Sequence, residues 1–72
     1  MENNFLYEKH ELVGHYVRTT EAIIFADGSG VPKGTTGKII SVEPATSSLV
    51  YIVDTHGFGV KGFSRNQFGL FV

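Results

Sequence analysis

Val31-Pro32-Lys33-Gly34-Thr35-Thr36-Gly37-Lys38-Ile39-Ile40-Ser41-Val42-Glu43-Pro44, followed after a short loop by Leu49-Val50-Tyr51-Ile52-Val53-Asp54, decides how this chain folds. Gly34 and Gly37 let the backbone turn sharply into a run rich in Ile and Val. Pro44 ends that run, because proline has no N–H to give a central ladder. Residues 49–54 carry the strongest strand signal in the chain, a continuous stretch of aliphatic and aromatic side chains. The two runs read as neighbouring antiparallel strands, with Ile39 and Val42 burying against Tyr51 and Val53.

Outward from this pair the pattern stays β. His56-Gly57-Phe58-Gly59 supplies two glycines for a tight turn with positive φ, and residues 60–64 return as the hairpin partner. Arg65-Asn66-Gln67-Phe68 reads as a turn or a single 3₁₀ turn, and Leu70-Phe71-Val72 as a closing strand. Upstream, residues 14–19 form a short strand, separated from the decisive stretch by a long loop over residues 20–36. No window beyond Leu12 shows the 3.6-residue apolar stripe of a helix. Five short strands in about 60 residues suit a small closed or partly open barrel that hides its sheet edges. The expected organisation is an N-terminal arm over residues 1–11, either disordered or one helical turn capping the barrel through Phe5, Leu6 and Tyr7, and an all-β domain over residues 12–72. Val17, Ile39, Val42, Tyr51 and Val53 are the expected core.

Composition narrows the function classes. Six Lys and Arg against seven Asp and Glu leave a formal charge of −1, which argues against strong non-specific binding to nucleic acid, since that rests on a basic excess. No cysteine is present for a disulfide or a thiolate metal site, so a reducing, cytoplasmic setting is expected. Residues 1–10 lack the basic and apolar regions of a secretory signal. The apolar run at residues 22–26 is far short of the roughly 20 residues that cross a bilayer, so no membrane role is expected.

Residues 12–72, above all the Lys33-Gly34-Thr35-Thr36-Gly37-Lys38-Ile39-Ile40-Ser41-Val42 stretch with Tyr51-Ile52-Val53, resemble the SH3-like barrel superfamily. The pattern is similar to that of small bacterial SH3-like barrels and of the KOW modules of ribosome and transcription proteins. The resemblance implies a small five-stranded SH3-like barrel. It specifies function hardly at all, because this barrel hosts many unrelated tasks. Signalling members read polyproline with paired aromatics including Trp, and this chain has no Trp. A plasmid-encoded dihydrofolate reductase family builds one pore from four such chains, using a valine-glutamine-isoleucine-tyrosine stretch. Val60-Lys61-Gly62-Phe63 stands in its place here, so the ligand-binding residues of that family are absent.

Catalytic sets are equally absent. His10, His15 and His56 show no spacing that would put two metal ligands on one face. Neither a G-x-S-x-G elbow nor a complete phosphate loop occurs, because Gly37-Lys38 is followed by Ile39. Asp27, Glu43 and Asp54 fall on separate elements. No catalytic residue, metal site or cofactor is expected. The leading expectation is therefore a non-catalytic protein-binding module, an adaptor, inhibitor or regulatory subunit, or a self-associating one. It would act through the long loop and the hairpin tip with Phe25, Phe58 and Phe63. The alternative is a KOW-like RNA- or DNA-binding module using Lys33, Lys38, Lys61 and Arg65, with aromatics interleaved for base stacking. An oligomeric small enzyme stands third.

Overall fold

The structure, a computed structural model, describes residues 10–71. The expectations placed on Phe5, Leu6, Tyr7 and Val72 lie outside the described residues. Seven strands and one 3₁₀ turn follow in order: β1 (Tyr16–Thr19), β2 (Ile23–Ile24), β3 (Gly30–Val31), β4 (Thr36–Pro44), β5 (Leu49–Thr55), β6 (Gly59–Phe63), the 3₁₀ turn (Arg65–Gln67) and β7 (Phe68–Phe71). Antiparallel pairing gives a five-stranded sheet in the order β6-β5-β4-β1-β7 and a separate two-stranded sheet, β2-β3.

The β4–β5 pair follows the sequence pattern, with one irregularity that the pattern demanded. A strand turns successive side chains to opposite faces, so Ile39 and Val42 could not both point inward without an extra residue between them. The ladder shifts register between Ile39 and Ser41, as a β-bulge does. Ile39 then faces Val53, Val42 faces Tyr51, and Ile40 is turned out to solvent. Gly37 serves packing rather than turning: a Cβ there would lie 2.6 Å from Val53 Cγ1 and 2.7 Å from the Asp54 carbonyl oxygen. Gly34, at φ 88, is the residue that makes the turn.

Val17, Ile39, Val42, Tyr51 and Val53 are all buried, together with Ile23, Val31, Phe63 and Phe68. The long loop thus contributes to the core. Ile23 on β2 and Val31 on β3 pair with each other and cover the inner face of the large sheet. Phe68, expected in a turn, instead opens β7 and packs edge-on against Tyr51 at 5.3 Å between ring centroids.

A closed barrel is not formed among the described residues. β6 and β7 stand at opposite edges of the sheet and do not pair. Between them the chain makes the 3₁₀ turn, closed by two reciprocal bonds: the Gln67 N–H donates to the Ser64 carbonyl at 3.0 Å, and the Ser64 N–H donates to Gln67 Oε1 at 2.9 Å. The molecule is therefore all-β, an open antiparallel sheet with a small hairpin laid over its inner face. No helix among the described residues is long and apolar enough to cross a membrane.

Candidate partner-binding surface

Each strand of the large sheet has one side chain set facing the core and one facing away. In β1, Val17 and Thr19 are buried while Tyr16 and Arg18 point outward. Register carries that outward set across all five strands: Phe71 lies opposite Tyr16, Tyr16 opposite Lys38, Lys38 opposite Asp54, and Asp54 opposite Val60. One row thus runs from an aromatic pair at the β7 edge, through an opposite-charge pair, to an aliphatic residue at the β6 edge. Tyr16 is 48 % exposed and Phe71 43 % exposed, and the bulged Ile40 adds a third large apolar side chain on the same face. Arg18 and Lys38 frame the aromatics, with the Arg18 Cζ 4.6 Å from the Phe71 ring centroid and the Lys38 Nζ 5.8 Å from that of Tyr16.

Beside this face, at the β7 edge, Arg18, Thr19, Thr20, Lys33, Leu70 and Phe71 line an open cleft of about 500 Å³. Lys33 is brought there by the turn before β4. The Thr19 hydroxyl donates to the Pro32 carbonyl at 3.1 Å, and the Gly34 N–H donates to the Thr19 carbonyl at 3.0 Å. A second open cleft, also of about 500 Å³, lies at the other end of the sheet between Ser48, Leu49 and Tyr51 and the 3₁₀ turn residues Arg65 and Asn66.

The fold does not gather the three aromatics expected to meet a partner on one surface. Phe63 lies opposite Tyr51 on the inner face and is only 1 % exposed, so it is a core residue and offers no surface. Phe25 is half-buried, edge-on to Phe63 at 5.7 Å between centroids and covered by the Lys61 ammonium at 5.2 Å. Phe58 alone stands out, at the tip of the β5–β6 turn, where its N–H donates to the Thr55 hydroxyl at 3.2 Å.

The four cations of the nucleic-acid reading are likewise not on one face. Lys38 points outward, whereas Lys61, opposite buried Val53, points inward and donates to the Ser29 hydroxyl at 3.0 Å. Arg65 folds back to donate to the Phe68 carbonyl at 3.0 Å, and Lys33 sits in the β7-edge cleft. The histidines are also apart. His10 packs edge-on to Tyr51, His56 Nδ1 shares a hydrogen bond with the Thr36 hydroxyl at 2.7 Å, and His15 is exposed. Among the described residues no three His, Cys, Asp or Glu side chains come together as metal ligands would.

Sequence reasoning placed Phe71 at a probable sheet edge but passed over Tyr16, Arg18 and Ile40, although a signal for Tyr16 and Arg18 existed. Once Val17 is placed in the core, strand alternation puts Tyr16 and Arg18 outside. Comparison of the chain with protein-family profiles, with curated proteins and with solved structures finds no match.

Proposed function

We propose that this chain is a non-catalytic protein-binding module on an SH3-like barrel, here in open form, and that its partner is a protein seated on the outward face at β1, β4 and β7. The observation that carries the reading is the grouping of Tyr16, Ile40 and Phe71, three large exposed apolar side chains, on one face of one sheet. Scattered exposed hydrophobics are ordinary, but neighbouring ones framed by Arg are what interface centres are made of. Arg18 and Lys38 select for a partner with acidic groups around an apolar centre. The SH3-like part is supported by the strand order, by a first loop that carries its own β2–β3 hairpin, and by a 3₁₀ turn before the last strand.

Affinity capture from the host lysate, with and without nuclease, tests the proposal when wild type is run beside Tyr16→Ser. Tyr16 is half exposed, so this change leaves the core intact. The expected outcome is a stoichiometric, nuclease-resistant protein that Tyr16→Ser fails to recover. Material that vanishes with nuclease would overturn the reading in favour of nucleic acid. Recovery of the bait alone as a discrete oligomer would replace the partner by a second copy of this chain.

A further inference from the structure

The edge of the large sheet at β7 has features that the fold itself does not require. The Thr20 N–H donates to the Gln67 carbonyl at 3.0 Å, in line with the β1–β7 register. In an antiparallel ladder, bonded and non-bonded pairs alternate. Arg18–Gly69 and Tyr16–Phe71 are therefore the bonded pairs, and Val17–Leu70 is a non-bonded one. The N–H and C=O of Leu70 consequently point away from β1, out of the edge of the sheet. Among the described residues nothing pairs with them. The Phe68 carbonyl, the next acceptor along this edge, is taken by Arg65.

Gly69 is the second feature. Its φ is not in the left-handed region, and a Cβ added there would meet nothing within 4 Å. Neither a turn nor packing explains a glycine in this strand, and glycine weakens strands. What its missing side chain does is leave an open lane on the outward face, from the β7 edge across to Arg18, its cross-strand partner on β1. Lys33 flanks the same cleft, whose remaining apolar lining is Leu70 and Phe71.

Resting on the protein-binding reading above, we infer that β7 is the docking edge for an extended acidic segment of the partner. The segment adds as a strand beside β7. Its backbone pairs with the Leu70 N–H and C=O, its outward side chain opposite Gly69 carries a carboxylate to Arg18, and a further carboxylate meets Lys33. Such strand addition takes affinity from main-chain hydrogen bonds and specificity from alternate side chains. Charge complementarity favours a carboxylate-bearing peptide: two cations border the cleft, in a chain whose net charge is −1. A nucleic acid would use neither the strand-spaced donor and acceptor of Leu70 nor the gap at Gly69, and two cations neutralise few phosphates.

The test is selection of a displayed library of random twelve-residue peptides on the full chain, followed by titration of the selected peptides against wild type, Gly69→Val and Arg18→Glu. Valine is a good strand former and its Cβ would meet nothing within 4 Å at position 69, so Gly69→Val should melt at or above the wild-type temperature while its side chain blocks the lane. Selected peptides should carry Asp or Glu at alternate positions, lose at least tenfold in affinity to each variant, and slow hydrogen exchange of the Leu70 amide. Peptides without acidic enrichment, or bound equally by Gly69→Val, would overturn the edge proposal and leave the protein-binding reading standing. A fifteen-residue oligothymidylate that displaces the peptides and protects the same amide would overturn both, in favour of nucleic acid. Failure to select any peptide also counts against the edge, and the lysate capture then decides the wider reading separately.

Discussion

Two glycines in one sheet, on β4 and β7, show how little residue type alone says. Gly37 is surrounded: a Cβ would come within 2.9 Å of Val53, Asp54 and Thr55 atoms, two of them backbone atoms that cannot swing away. Gly37→Ala should therefore cost about 1–3 kcal/mol, as overpacking does. Gly69 has open space, and Gly69→Ala should instead stabilise by about 0.5–1 kcal/mol through the lost flexibility of the unfolded strand. Urea melts of the two variants beside wild type check the pair, and equal shifts would show that the contacts around Gly37 are not the deciding ones. From sequence Gly37 looks like a turn residue, and Gly69 falls between the 65–68 turn and the closing strand. The difference lies in what the partner strand places over each, which only the register reveals. Phe63 makes the same point in reverse. Its place between Lys61 and Arg65 suggested a surface, and its cross-strand position opposite Tyr51 put it in the core.

At the scale of elements, the strands of the main sheet were legible because alternation and glycine turns are local signals. The β2–β3 hairpin was not, since two residues per strand are too few to show a period. What holds that hairpin down is also non-local. The Ser29 N–H and hydroxyl donate to Asp27 Oδ1 at 2.9 and 2.6 Å, and Lys61 from β6 reaches Ser29 while covering Phe25. The Ser29 side-chain hydrogen bond, then its backbone one, holds the Asp27 carboxyl below its ordinary value of 3.8. A carboxylate depressed in the folded state contributes stability that is present above its unfolded value and lost as pH falls through its folded value. Acidification below that range should thus loosen the hairpin tip first. Exchange of the Phe25 amide, which donates to the Ser29 carbonyl at 2.8 Å, should quicken on acidification relative to the amides of β4 and β5. Asp27→Asn should remove that extra sensitivity. If wild type and variant respond alike, the clamp does not depend on the charge of Asp27.

Seen whole, the molecule is one core between an open sheet and a small hairpin, in a chain so short that only about 60% of its unfolded surface can be buried. Its strand pairings differ greatly in how far along the chain they reach. β4, β5 and β6 follow one another through short turns, so their ladders join near neighbours. The β1–β7 ladder sets Tyr16 opposite Phe71 and so must gather nearly the whole described chain before it forms. Closing so long a loop costs entropy early and is repaid late. The β4–β6 meander should accordingly be built in the folding transition state, and β7 should join after it. A stopped-flow comparison would show this. Val53→Ala should slow folding, whereas Phe68→Leu should leave the folding rate nearly unchanged and speed unfolding. The strand whose edge is offered to a partner is then also the first to come away. A ligand that adds to β7 would act as a latch, lengthening the lifetime of the folded chain without hastening its formation.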